Sequence, residues 1–320
     1  SWRVGGSDSI DGAGMKYSKD VIVSLAAPFR DAVEIHRLRF GVPGTGKHIA
    51  IVSGLHGNEV GGICAVNQLI ATIKASQIVG CIDVYPVINR MGLDDSSKIN
   101  PLDHRDINRW FPGHSEGSAS ERIANAVFAS LEPCDAVVSV HTGAEHIFDI
   151  VQVRCLSEDV EMYKTLGAPL VWVRPEVDGR VSLLGQCRSR GQSIMYLTGG
   201  RGNSLDLDSV AMMRSVLLSW LRTLGVVSDV FLPSENSLTL VGSMTEIRSN
   251  YGGLFIPSVN IECTGVRVKK GQILGTVQHV VGGEILEVME APFDALVTSV
   301  RVNPVVYPHE LILRLIPLIS

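Results

Sequence analysis

Two apolar, β-branched runs each end in a histidine, and this constrains the fold more than any other feature. His48-Ile49-Ala50-Ile51-Val52-Ser53 leads into Gly54-Leu55-His56-Gly57-Asn58-Glu59, and Ala136-Val137-Val138-Ser139-Val140 leads into His141. A short continuous apolar run suits a strand covered on both faces, as in a parallel sheet between helices. Two such strands in one sheet place both imidazoles at one rim. The segments around them alternate. Helical spacing over 59–73 sets Ile63, Val66, Leu69, Ile70 and Ile73 on one face, and a second helix runs over 118–131. A third, over 209–224, carries Val210, Met213, Val216, Leu217, Trp220 and Leu221. Residues 160–166 also read as helical. Runs over 81–88, 170–173 and 194–197 read as strands, and 21–40 as edge strands. The alternation predicts an α/β fold, a mixed and mostly parallel sheet flanked by helices.

After Gly225 the pattern changes. From Leu238 to Ile319 short strand-like runs are separated by turn signals at Gly252-Gly253, Lys269-Lys270-Gly271, Gly282-Gly283 and Pro292. No amphipathic helix is legible there. The division expected is a catalytic domain over 1–230 and a β-rich, barrel-like domain over 238–320, set apart from the α/β sheet and joined through 226–237.

Composition narrows the function classes. The chain has 320 residues, 45% hydrophobic and 19% charged, which is enough for a sizeable core. A net charge of −5 without a basic block gives no reason to expect a nucleic-acid or anionic-membrane partner. No apolar run approaches the roughly 20 residues that span a bilayer. Cys64, Cys81, Cys134, Cys155, Cys187 and Cys263 are widely spaced in apolar surroundings, with no C-x-x-C pair. Buried free thiols and a cytoplasmic location are expected. Oligomeric state, a homo-oligomer included, is left open.

His56, Glu59 and His141 supply two imidazole nitrogens and one carboxylate. This three-ligand set suits a catalytic Zn²⁺ that keeps a fourth position for water. Between the two histidine motifs lies the polar segment Lys98 to Gly113, in which Asn108 and Arg109 offer an amide and a guanidinium fork side by side. The fork matches a carboxylate bidentately. Trp110 and Phe111 are expected to anchor this segment. Gly41-Val42-Pro43-Gly44-Thr45-Gly46-Lys47-His48 imitates a phosphate-binding loop. It ends in histidine where a hydroxyl is required and precedes a strand rather than a helix, so it reads as a plain connection.

A strand ending in H-G-N-E, then N-R-x-F-P-G, then a strand ending in H-T-G, in that order, resembles the succinylglutamate desuccinylase/aspartoacylase family, of the zinc carboxypeptidase-like superfamily. Gly252-Gly253-Leu254-Phe255, Val268 to Gly275 and Ala291 to Ala295 resemble the β-barrel-like appendage of its bacterial members. The resemblance implies that His56, Glu59 and His141 are zinc ligands and that Asn108 and Arg109 grip a substrate carboxylate. It implies that Lys98, or Arg105 in its stead, polarises the scissile carbonyl. The reaction implied is hydrolysis of a small N-acyl amino acid to a carboxylate and an amine. The family's glutamate base is expected in the stretch Ser193 to Gly200, where this chain has Thr198, which cannot take a proton at neutral pH. Glu262 and Glu145 are the carboxylates considered as replacements. The expected activity is a zinc-dependent deacylase. The alternatives are a metal- and carboxylate-binding homologue of low activity, and a zinc carboxypeptidase acting on short peptides.

Overall fold

The computed structural model describes residues 7–10, 16–26, 31–73, 77–174, 181–228, 238–241, 244–258 and 264–318. Strands β1 (Ser7–Ile10), β2 (Lys16–Leu25) and β3 (Val33–Gly41) form an antiparallel run. The chain continues through β4 (His48–Ser53), helix α1 (Val60–Ile73), β5 (Cys81–Tyr85) and the short α2 (Arg90–Asp94). Then come α3 (Ala119–Ser130), β6 (Ala136–Gly143), β7 (Ile147–Cys155), α4 (Val160–Tyr163) and β8 (Leu170–Val173). Helix α5 (Leu183–Ser189), β9 (Ser193–Arg201) and α6 (Leu207–Thr223) complete the α/β part.

The large sheet is mixed, with path order β1-β2-β3-β5-β4-β6-β9-β7. Its centre, β5-β4-β6-β9, is parallel, and the pairing turns antiparallel at β3 and at β7. β4 and β6 are buried along their whole length, as suits the apolar runs Ile49–Val52 and Ala136–Val138 in central strands covered on both faces. One apolar layer joins the sheet to α1 and α6 through Val66, Leu69, Met213, Leu217 and Trp220. The opposite layer joins it to α3 and α5 through Val127, Phe128, Leu183 and Leu184. No described helix is long and apolar enough to cross a membrane.

The remaining strands are β10 (Leu238–Val241), β11 (Thr245–Arg248), β12 (Gly253–Pro257), β13 (Arg267–Val268) and β14 (Ile273–Gln278). They are followed by β15 (Ile285–Glu290), β16 (Ala295–Arg301), β17 (Val305–Val306) and β18 (Leu311–Pro317). Four of them form a separate antiparallel sheet, β15-β14-β12-β17. The expectation that this part stands apart from the α/β sheet is overturned at β16. Ser299, Val300 and Arg301 pair with Asp149, Phe148 and Ile147 of β7, so the large sheet runs on through β16, β18 and β11. A further apolar cluster crosses the same seam, uniting Ile150 and Leu170 with Leu296 and Ile316. The imitation of a phosphate loop is the turn that carries the chain from β3 to β4, with Val42 N donating to Gly80 O.

The described cysteines are free, and Cys81, Cys134, Cys155 and Cys187 are buried. Cys263 lies outside the described residues.

Candidate active site

Parallel pairing of β4 with β6, Ser53 opposite Val140, brings the two histidine motifs to the same strand ends. His141 follows that last pair in β6 and His56 follows it in the turn after β4; their ring centroids are 5.3 Å apart. Glu59 immediately precedes α1, and its carbonyl accepts from Gly62 N and Ile63 N. A carboxylate at this helix N-terminus sits where the dipole favours negative charge.

Gly57 lets the turn between the two residues close. A Cβ there would stand 1.9 Å from the carbonyl carbon of Gly92 in α2, a backbone atom that cannot swing aside.

The donor atoms converge. His56 Nδ1 lies 2.8 Å from Glu59 Oε1, and His141 Nδ1 lies 2.9 Å from Glu59 Oε2. The far nitrogens are held as well, His56 Nε2 at 3.1 Å from Asp106 Oδ1 and His141 Nε2 at 2.7 Å from Ser139 Oγ. Partners of this kind fix the ring orientation of metal-binding histidines. Tyr196 of β9 stacks on His141 with centroids 4.7 Å apart.

Burial opposes charge on His56, but Glu59 and Asp106 outweigh it and push the imidazole up to about 9. Burial likewise opposes the charge on Glu59, and the two histidines still hold its carboxyl down at about 2. Asp106 is lowered too: its bond to His56 overcomes its own desolvation. One ligand atom from each of His56, Glu59 and His141 lies within 4.8 Å of the others, a group able to hold a metal ion. Their N, N, O chemistry fits zinc.

A second such group, His48, Asp83 and Cys134, lies at the opposite ends of the strands. Its carboxylate is already bound bidentately by Arg39, at 2.7 Å to each oxygen, and by His48 at 2.9 Å. Burial pushes the Cys134 thiol up, away from the thiolate that a metal needs.

The His56–Glu59 pair opens on a cavity of about 450 Å³. Of the residues expected from sequence, Lys98, Asn108, Arg109 and Glu145 also line it. Asn108 is buried; its Oδ1 accepts from Leu183 N at 2.9 Å, which leaves the NH₂ as the free side of the amide. Among the described residues, the Arg109 guanidinium hydrogen-bonds only the carbonyl of Asn108, at 3.1 Å.

Lys98 stands 3.6 Å from Asp106. Arg105 is occupied away from the cavity, bonding Ser118 Oγ and Glu121 Oε2 at the start of α3 and lying over the Trp110 ring. Phe111 anchors the segment in the core, whereas Trp110 remains 36% exposed and does not. Glu145 is exposed at the rim. Glu262 lies outside the described residues.

Thr198 is paired in register with His141, is fully buried, and its hydroxyl has no hydrogen-bond partner among the described residues. The cavity also takes Asp149 and Arg154 from β7, Tyr196 from β9 and Arg314 from β18, none of which sequence reasoning singled out. Asp106 and Ser139 were missed as well, though each stands two residues from a residue that was noticed.

The model of the succinylglutamate desuccinylase/aspartoacylase catalytic domain matches residues 45–223. The chain belongs to this family. It is 25% identical over 248 residues to the N-alpha-acetyl-L-2,4-diaminobutyric acid deacetylase of Halomonas elongata, covering 73% of this chain and 71% of that one. The product-bound ectoine utilization protein of Ruegeria pomeroyi has the same fold, with a TM-score of 0.83 at 20% identity over 99% of this chain and 100% of the other. An aspartoacylase family protein from Mesorhizobium loti superimposes with a TM-score of 0.79 at 23% identity over the whole of both chains.

Proposed function

We propose that this protein is a zinc-dependent deacylase of small N-acyl amino acids. The observation that carries the reading is one cavity lined both by His56 and Glu59, two members of the His56–Glu59–His141 cluster, and by the guanidinium of Arg109. Family membership and the deacetylase activity named for the Halomonas relative support the same class of reaction. His56, Glu59 and His141 would hold the ion through Nδ1, a carboxylate oxygen and Nδ1. Zinc there supplies Lewis acidity, acidifying a water and polarising a carbonyl.

The chain's own groups do the rest. Arg109 takes the substrate carboxylate as a fork, with the Asn108 NH₂ beside it, and so orients the amide. Lys98, at the cavity wall, faces the charge that develops on the carbonyl oxygen. Tyr196 closes the floor behind His141. The cavity's volume suits a small molecule better than a peptide, which favours a deacylase over a carboxypeptidase. A second reading, a binding homologue of low activity, draws on Thr198 standing beside His141 where the family's glutamate base is expected.

The test is a mass-spectrometric screen of N-acyl amino acids and dipeptides, N-acetyl-diaminobutyrate included, with the zinc-loaded protein. Release of the free amine, lost on chelation and restored by zinc, is the expected result. Ligand binding without turnover would select the second reading.

A further inference from the structure

Among the described residues, three carboxylates line the cavity: Glu59, Glu145 and Asp149. Glu59 belongs to the metal cluster. Glu145 is exposed on the turn after β6, where its backbone carbonyl accepts from Arg201 at 3.1 Å. Asp149 is different. It projects from β7 opposite Gly200 of β9, the strand that carries Thr198, and only 3% of it is exposed. Among the described residues its Oδ1 has no hydrogen-bond partner, an unusual state for a buried carboxylate oxygen. It packs on the backbone just after His141: a Cβ built on Gly143 would meet Asp149 Cγ at 3.1 Å.

We infer that Asp149 is the proton acceptor of this site, replacing from the neighbouring strand the carboxylate that Thr198 does not provide. The role rests on the deacylase reading. As the water oxygen bonds to the amide carbonyl carbon, an O–H bond breaks and the proton passes to the Asp149 carboxylate. When the tetrahedral species collapses, the C–N bond breaks and the same proton goes to the leaving nitrogen. One water is consumed and one acid and one amine are released.

The surroundings of Asp149 suit a base. Arg154 Nη2 of its own strand lies at 3.9 Å and Arg314 Nη1 of β18 at 3.7 Å, too far for hydrogen bonds that would tie up its lone pairs. Arg314 is shared with Glu246 of β11, at 3.3 Å. Ser299 of β16 pairs with Asp149 across the sheet, and the Glu59 charge lies across the cavity. Burial raises the Asp149 carboxyl above the ordinary aspartate range and Glu59 adds to this, against the lowering by Arg154, by Arg314 and by the Ser299 hydroxyl beside it. A raised carboxyl is the stronger proton acceptor once ionised.

The experiment compares wild type, Asp149→Asn and Glu145→Gln as zinc-loaded full-length enzymes across pH on the substrate found by the screen. Asp149→Asn is expected to lower kcat by about 10²–10⁴-fold and to remove the acidic limb of the pH–rate profile, with zinc content and KM retained. Glu145→Gln is expected to keep the acidic limb of the profile, which the loss of the general base would remove. A carbon-13 titration of labelled aspartate carboxyls gives a readout without turnover: one resonance should titrate above ~3.9 and vanish in Asp149→Asn. A role confined to holding Arg154 and Arg314 would raise KM and leave the acidic limb in place. Should Asp149→Asn fail to fold, Asp149→Glu is expected to shift the limb.

An unmoved limb in Asp149→Asn or Asp149→Glu, kcat of Asp149→Asn within threefold of wild type, or the loss of the limb falling on Glu145→Gln instead, overturns the role while the deacylase reading stands. A wild type that hydrolyses nothing in the screen overturns both.

Discussion

Arg109 and Thr198 show how much one residue type decides here. A guanidinium is planar and donates through two parallel N–H groups, whereas an ammonium is a point charge. Arg109→Lys keeps the charge and loses the fork. We expect kcat/KM for a free-carboxylate substrate to fall by about 10–100-fold, the range of a charged hydrogen bond of about 1.5–3 kcal/mol, with most of the loss in KM. The check is steady-state kinetics on a free acid and on its amide. Equal use of the two by wild type would remove the carboxylate-binding role. The types in this site that sequence reveals are those inside compact motifs: His56, Glu59 and His141, and the Asn108-Arg109 pair. Asp149 escapes it, because nothing near position 149 announces a site. Its place follows only from the antiparallel register of β7 against β9.

At the scale of elements, legibility followed burial. β4 spans the expected residues 48–53, and α1 and α6 start and stop within two residues of expectation, because covered strands and amphipathic helices carry strong periodic signals. β7 was not seen. Its apolar pattern is interrupted by Asp149, Gln152 and Arg154, and two of these face the cavity, so the polar residues of the site conceal the strand that holds them. α5 is short and was missed; α4 ends at Tyr163 rather than 166.

Two element-scale outcomes are expected. Gly57→Ala drives a methyl into the Gly92 backbone and must part α2 from the histidine turn. Bound zinc measured by mass spectrometry should fall below one per chain, and full occupancy would show that the turn adapts. The other concerns the far strand ends. Asp83 of β5 is fully buried and holds Arg39 of β3 and His48 of β4. Burial opposes its charge, and the bonds from Arg39 and His48 prevail, so its carboxyl lies below the ordinary range. A depressed carboxyl stabilises the fold above its unfolded value of ~3.9, and that contribution fades as pH falls through the folded value. Asp83→Asn is therefore expected to cost about 3–5 kcal/mol at pH 7. Urea unfolding at pH 7 and at pH 3 should show the gap to wild type narrowing in acid. A gap that widens in acid would reverse the assignment.

For the whole molecule, the seam between β7 and β16 matters most. Backbone pairing crosses it at Asp149, Phe148 and Ile147, apolar packing crosses it at Ile150, Leu170, Leu296 and Ile316, and Arg314 reaches over it into the cavity. The cavity wall is thus made by strands from the middle of the chain, β6, β7 and β9, together with β18. Turn signals after Gly225 made a change of pattern visible in the sequence, but hydrogen bonds between strands about 150 positions apart leave no local trace, which is why long-range sheet pairing resists sequence reading. Cooperative units in native-state hydrogen exchange commonly coincide with paired elements. Amides of β7 and of β16 should therefore open together, with one free energy and one dependence on denaturant. A chain ended at residue 228 should lose protection in β7 and bind substrate poorly, because it lacks both the edge partner and Arg314. If β16 exchanges at low denaturant while β7 stays protected to the global limit, the β-rich part is a detachable appendage, and the pairing between them is too weak to hold the cavity wall in place.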